Sequence, residues 1–270
     1  MAGEPARRLA AALTILALAS PAAAHGPLFS PAPETIWKGG TEITVGYGRR
    51  EAPGGDESEA YVEAEYGLTA RWEVGAELGY AREHAGGDRD AGVGDLVLGT
   101  KYQFWGRDLP GAQYKASALL RVKLPTGEDE VSTGSTDILA GLAAGYESRR
   151  WYWFASGTYR LNTEGDGGFE KGDQVTFNAV GGVRPVLTGY RDPDLVLMAE
   201  LNWEWNDRDR IGGAAVADSG GWQLFVAPVM WLTWRQFALR AGVQVPIATE
   251  LNGARQRDDY RLRAELVYHF

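Results

Sequence analysis

The sequence predicts an all-β fold, an antiparallel up-and-down barrel of about twelve strands that crosses a membrane, on three observations. Apolar and polar residues alternate through segment after segment. Connections between segments alternate between short and long, and aromatic side chains gather at both segment ends. The composition agrees, with 36 glycines, 30 aromatic residues (10 Trp, 12 Tyr, 8 Phe) and no cysteine in 270 residues. A disulfide framework and a thiolate metal site are therefore excluded, and no later run is long and apolar enough for a membrane helix.

Taken in order, residues 1–24 read as a secretory signal. Arg7 and Arg8 precede the apolar run 9–19, which ends at the small-residue site Ala22-Ala23-Ala24. Cleavage there would leave His25 at the mature N-terminus. Residues 25–40 carry Pro27, Pro31 and Pro33, cannot form a regular strand, and read as an extended periplasmic lead-in to a barrel over 41–270.

Candidate strands follow at 41–49, 60–68, 72–81, 95–105, 112–123, 136–147, 151–160, 173–185, 194–206, 221–233, 236–246 and 258–270. Most are near the length that crosses a bilayer when tilted. In the last, Tyr260, Leu262, Ala264, Leu266, Tyr268 and Phe270 oppose Arg261, Arg263, Glu265, Val267 and His269. In the third, Trp72, Val74, Ala76, Leu78 and Tyr80 oppose Glu73 and Glu77; in the ninth, Leu197, Leu201, Trp203 and Trp205 oppose Glu200, Asn202 and Glu204. Such faces suit lipid on one side and a polar lumen on the other. Links after even-numbered strands are short, as at Thr69-Ala70-Arg71 and Trp234-Arg235. Those after odd-numbered strands are expected to run about ten to fourteen residues, rich in Gly, Asp and Glu, which is the pattern of periplasmic turns and outside loops. Trp72, Trp105, Tyr146, Trp151, Trp153 and Trp234 form the expected inner belt, and Tyr47, Tyr80, Tyr159, Trp203, Trp205 and Trp222 the outer one.

The segments Gly94-Asp95-Leu96-Val97-Leu98-Gly99-Thr100-Lys101-Tyr102-Gln103-Phe104, Lys123-Leu124-Pro125-Thr126-Gly127 and Thr133-Gly134-Ser135-Thr136-Asp137 resemble the outer-membrane transporters grouped as meta-pathway of phenol degradation proteins, the phenol MetA-like family. That resemblance implies a Gram-negative outer-membrane barrel and traffic of small compounds, aromatic or hydrophobic ones among them. The terminal Phe270 resembles the sorting end read by the barrel-assembly machinery.

Candidate lumen-lining residues are Glu63, Glu65, Glu73, Glu77, Lys101, Lys115, Arg121, Arg240, Arg261 and Arg263. Opposed acidic and basic walls would set a transverse field that orients polar solutes; in a narrow barrel the same charges would instead pair into a plug. Pro228 falls mid-strand on the lipid side, where it cannot donate to a ladder, so a bulge is expected and a lateral opening is the functional alternative. His25 offers an amine and an imidazole for a metal, but no second imidazole is predictably near, so no metal or cofactor is expected. The acidic loops offer oxygen ligands that suit Ca²⁺ or Mg²⁺ between lipopolysaccharides, but the twelve-residue calcium-loop spacing is missing and a solvated, repulsive face is the favoured reading. Net charge of −9 without a basic stripe disfavours nucleic acid. An outer-membrane phospholipase would need a serine activated by a histidine; His84, in an outside loop, has no evident serine partner. The expectation is a passive, non-enzymatic channel for small solutes, the alternative a structural or adhesive barrel with a plugged lumen.

Overall fold

The computed structural model describes residues 26–85, 88–189, 191–253 and 257–270; the segment expected to be a signal, 1–24, and His25 lie outside them. The strands in chain order are β1 (Thr41–Ala52), β2 (Gly55–Thr69), β3 (Trp72–Ala85), β4 (Asp88–Val93), β5 (Val97–Leu109), β6 (Ala112–Lys123), β7 (Asp137–Ser148), β8 (Trp151–Leu161), β9 (Phe169–Glu170), β10 (Gln174–Val183), β11 (Asp194–Asn206), β12 (Arg210–Ile211), β13 (Ala214–Ala215), β14 (Gly221–Trp234), β15 (Phe237–Leu251) and β16 (Tyr260–His269). Thirteen form one antiparallel sheet, in which β4 hangs on the upper part of β3. The other twelve close into a barrel when β1 pairs with β16, from Glu42 opposite His269 to Glu51 opposite Tyr260. Closure leaves the barrel no free edge, the condition for a sheet to stand in hydrocarbon. β9, β12 and β13 form a small separate sheet in the loops above.

The outward face carries exposed Val45, Val62, Leu78, Leu98, Leu120, Leu142, Leu197, Leu239 and Leu266 around the whole barrel. In water so continuous an apolar surface would drive association; against lipid it is the solvent-matched face. Aromatic rings end it: exposed Trp72, Trp105, Trp151, Trp153 and Trp234 at the short-turn rim, exposed Tyr47, Tyr80 and Tyr159 toward the other. Tyr146 stacks on Trp153 at 6.1 Å, and Phe177 on Trp203 at 5.8 Å.

All twelve expected strands are present, but several ends and loops differ. β2 begins at Gly55, so the link after β1 is only Pro53-Gly54 rather than about ten residues. The polar stretch there is strand because charges pair across the hairpin: Arg50 with Glu57 at 2.8 Å, and Arg49 with Asp56 at 3.6 Å. β5 likewise continues to Leu109, with a register shift between Gln103 and Trp105. At the long-loop rim the three family-resembling motifs fold onto one carboxylate. Asp95 accepts from the Thr126 and Gly127 N–H groups and the Ser132 hydroxyl, while Lys123 bridges Asp95 and Asp137 at 3.2 and 2.8 Å.

The lead-in is the larger correction. Residues 26–37 do not extend away from the barrel but run up inside its lumen. Gly39 N–H donates to the Gly67 carbonyl (2.7 Å) and Gly67 N–H to the Gly40 carbonyl (3.0 Å), fixing the arm's base on the β2 rim. A Cβ on Gly67 would lie 2.1 Å from the Trp37 carbonyl oxygen, so only glycine permits this approach.

Candidate functional site

The arm enters the lumen because its prolines prevent a ladder while inward-facing side chains satisfy its backbone instead. On the β3 side, Ile36 N–H donates to Glu73 (2.7 Å), Lys101 donates to the Glu34 carbonyl (2.9 Å), and the Ser117 hydroxyl donates to the Pro33 carbonyl. On the β11 side one carboxylate, Glu200, accepts from Leu28 N–H (2.6 Å), Phe29 N–H (3.2 Å) and the Ser30 hydroxyl (3.0 Å). Arg263 completes the grip by donating to the Leu28 carbonyl at 3.2 Å. The arm thus spans the lumen from one wall to the other.

All ten charges expected to line the lumen face inward, but they do not form opposed walls. Arg121 bonds Glu63 (3.1 Å) and Glu77 (2.7 Å), Lys101 pairs with Glu73 (2.6 Å), and Arg240 with Glu265 (2.6 Å). Arg261 reaches Glu204 at 2.8 Å and Asp258 at 2.6 Å, the latter fully buried two residues before β16. Lys101 with Glu73 and Arg240 with Glu265 join adjacent strands. Arg121 instead reaches past β5 to Glu77 on β3 and on to Glu63 on β2, and Arg261 reaches past β15 and β14 to Glu204. A charge held in a narrow interior is stabilised by such pairing, so the transverse field gives way to ion pairs. Glu65 and Lys115 lie near them, with Lys115 facing Glu34 of the arm. Glu34 belongs to the arm and not to a spanning strand; burial, then repulsion from Glu147, pushes its carboxyl up to about 8.

Two inward features were not expected. The first is an amide ladder: Gln244 donates to Asn202 (3.0 Å), Asn202 to Asn178 (2.9 Å), and Asn178 to Ser156 (3.0 Å). The second is an apolar luminal wall below it on β8, β10, β11 and β14 to β16. Tyr152, Phe154, Val180, Val196, Met198, Ala227, Val229, Trp231, Ala238 and Val267 form one buried cluster with Leu28, and Phe29 packs on it. Its signal is the run Leu224-Phe225-Val226-Ala227-Pro228-Val229-Met230-Trp231-Leu232, apolar on both faces of β14.

Pro228 faces outward and is exposed, as expected. Pairing of β14 with β15 lapses between Val226 opposite Val245 and Val229 opposite Gly242, and the register shifts between Leu224 and Phe225, where Pro246 stands opposite. The ladder resumes on both sides of this two-residue lapse. His84 lies 3.3 Å from Asp56, with no serine bonded to it among the described residues. Nor does any group of three or more His, Asp or Glu converge to hold an ion among those residues.

With this geometry in hand, the family described as "MetA-pathway of phenol degradation" matches residues 66–250. A search of characterised protein sequences finds no match. Among solved structures, the COG4313 outer membrane channel from Pseudomonas putida F1 superposes with a TM-score of 0.70 at 17% identity, over 90% of this chain and 100% of that one. The β domain of the Bordetella autotransporter BrkA gives 0.52 at 13% identity, over 86% and 100%. These likenesses carry the barrel architecture.

Proposed function

Because the chain belongs to the phenol-degradation MetA family by that match over residues 66–250, we propose that it is an outer-membrane channel for passive passage of small solutes, aromatic or hydrophobic ones among them, shut at rest by its own N-terminal arm. One observation carries the reading. The arm is held in the lumen by hydrogen bonds and side-chain packing alone, with no strand pairing, so it can leave without breaking the wall. The name of the solved channel, the apolar exterior and the polar upper lumen support the same reading. In it, the chain is exported by a cleaved signal, assembled through Phe270, and set among lipid and lipopolysaccharide. The ten luminal charges line the path, and Pro228 marks the seam where an apolar solute would exit sideways. The barrel acts as a conduit rather than an enzyme.

The packed arm and the paired charges also favour a second reading, a plugged structural barrel. Liposome swelling separates the two. With charged, polar and aromatic solutes, proteoliposomes of a chain lacking residues 26–37 should swell faster than those of the full chain. Equal, background swelling for both would give the structural reading. Replacing Arg121 and Arg261 by glutamine should move the reversal potential of the shortened chain if those charges line the path.

A further inference from the structure

The turn after β5 and the turn after β7 lie side by side at the short-turn rim, since Ala112 stands opposite Ser148. Between them is an open cleft of about 580 Å³, lined by Pro110, Gly111, Ser148, Arg149 and Arg150. Its backbone is satisfied locally. Arg149 N–H donates to the Gly111 carbonyl (3.2 Å), and the Ser148 hydroxyl accepts from Trp151 N–H (2.9 Å). The Arg149 and Arg150 carbonyls accept from Arg184, at 3.1 and 2.8 Å. The two guanidinium groups are left over. Both residues are exposed, and neither guanidinium has an ion pair or hydrogen bond among the described residues. The acids nearby are engaged or turned away. Asp194 pairs with Arg184 at 2.9 Å, Glu147 accepts from Gln113 inside the barrel, and Asp108 shares that inward face opposite Gln113.

On the outer face beside this cleft, Tyr114, Tyr146 and Trp153 form a three-ring platform, with centroids 4.7 and 6.1 Å apart along it. Arg107, exposed and also without a partner among the described residues, stands opposite Tyr114 in the ladder. Rings of this kind settle at the headgroup level of a bilayer, so the cleft lies at the depth of lipid phosphates. A guanidinium fork matches phosphate oxygens in charge and shape.

We propose that the cleft binds the phosphate of an anionic phospholipid of the inner leaflet, with the acyl chains lying along the platform of Tyr114, Tyr146 and Trp153. An ammonium head group meets Arg149 and Arg150 with like charge, so a phosphoglycerol head is preferred to a phosphoethanolamine one. The site rests on the outer-membrane reading, which puts short turns at the periplasmic face, and adds a lipid partner held outside the lumen.

Native mass spectrometry of the full chain in detergent tests this by titration with phosphatidylglycerol or phosphatidylethanolamine of identical acyl chains. Phosphatidylglycerol should bind saturably, and phosphatidylethanolamine severalfold more weakly. An arginine at the membrane surface contributes about fivefold in affinity, so Arg149→Gln with Arg150→Gln should weaken phosphatidylglycerol roughly 25-fold and erase its preference. Arg71→Gln with Arg235→Gln makes the same charge change at other turns of this rim and should leave the affinity within twofold. Trp153→Ala should weaken both lipids together and keep their ratio. Heat-modifiable migration in a gel shows that each variant is a folded barrel. Glycerol 1-phosphate, the head without chains, should not compete even in large excess; competition would make this a site for soluble phosphate and overturn the lipid assignment. Equal binding of the two lipids, or equal losses from the two double variants, overturns it as well. Lipid binding needs no open lumen, so its failure is distinct from failure of the passage reading.

Discussion

Replacing Glu200 by alanine should release the arm. The carboxylate accepts three donors, at 2.6 Å from Leu28 N–H, 3.2 Å from Phe29 N–H and 3.0 Å from the Ser30 hydroxyl. Hydrogen bonds to a charged acceptor contribute about 1.5–3 kcal/mol each, but the two longer ones are weaker and a released arm finds water instead. Counting one strong bond in full and the others partly gives about 3 kcal/mol, roughly a hundredfold in the ratio of released to docked arm. Burial of Leu28 and the Glu73 contact with Ile36 persist, so release should be a shift in population and not a loss of fold. With Ala32→Cys as the single thiol, since the natural sequence has none, its labelling by a bulky maleimide in the Glu200→Ala chain reads this ratio. Heat-modifiable migration in a gel reports the intact barrel. A rate within twofold of the Glu200 chain, on a folded barrel, would refute the reasoning and move the latch elsewhere.

Arm docking should also depend on pH through Glu34. Its carboxyl is raised from an ordinary 4.5 to about 8 when docked, so docking is fully favoured below about 4.5 and is lost as pH rises through 8. Labelling divided at each pH by that of a fully exposed reference thiol, which removes the thiolate's own rise, should climb across that window and become flat in Glu34→Gln; a fall with rising pH would reverse the sign. At the long-loop rim, burial alone would raise Asp95, but the Gly127 N–H, the Ser132 hydroxyl and Lys123 outweigh it and hold it below the usual carboxylate value. Its contribution is therefore present above pH about 3.8 and lost as pH falls through the lowered value, and Asp95→Asn should make the 124–136 loop severalfold more sensitive to protease at neutral pH. Pro228→Val should restore the two lapsed pairs between β14 and β15. Unchanged uptake of an apolar solute by that folded variant removes the lateral exit.

The barrel was legible because its period is short-range. Alternations such as Trp72 to Tyr80 or Tyr260 to Phe270 state in sequence which side of each strand meets lipid. The Gly55–Glu59 stretch misled because Asp56, Glu57, Ser58 and Glu59 look like a loop until Arg49 and Arg50 stand opposite them. Proline content showed that residues 26–37 are not strand, but their place depends on Glu200, Glu73, Lys101 and Ser117, which lie far away in sequence. The charged lumen residues were identifiable one by one, whereas their pairing depends on which inward side chains meet across the narrow interior of the closed barrel, on strands that are often not adjacent. The inward apolar wall did leave a trace. A β14 greasy on both faces, in a strand with lipid on one side, requires an apolar cover on the other, and Leu28 and Phe29 supply it.

Single-channel recording in planar bilayers, comparing the full chain with one lacking residues 26–37, tests the central claim that the arm fills an otherwise passable lumen. The shortened barrel should show a steady conductance where the full chain is mostly closed with brief openings. Identical traces from the two, whether both silent or both open, would contradict it.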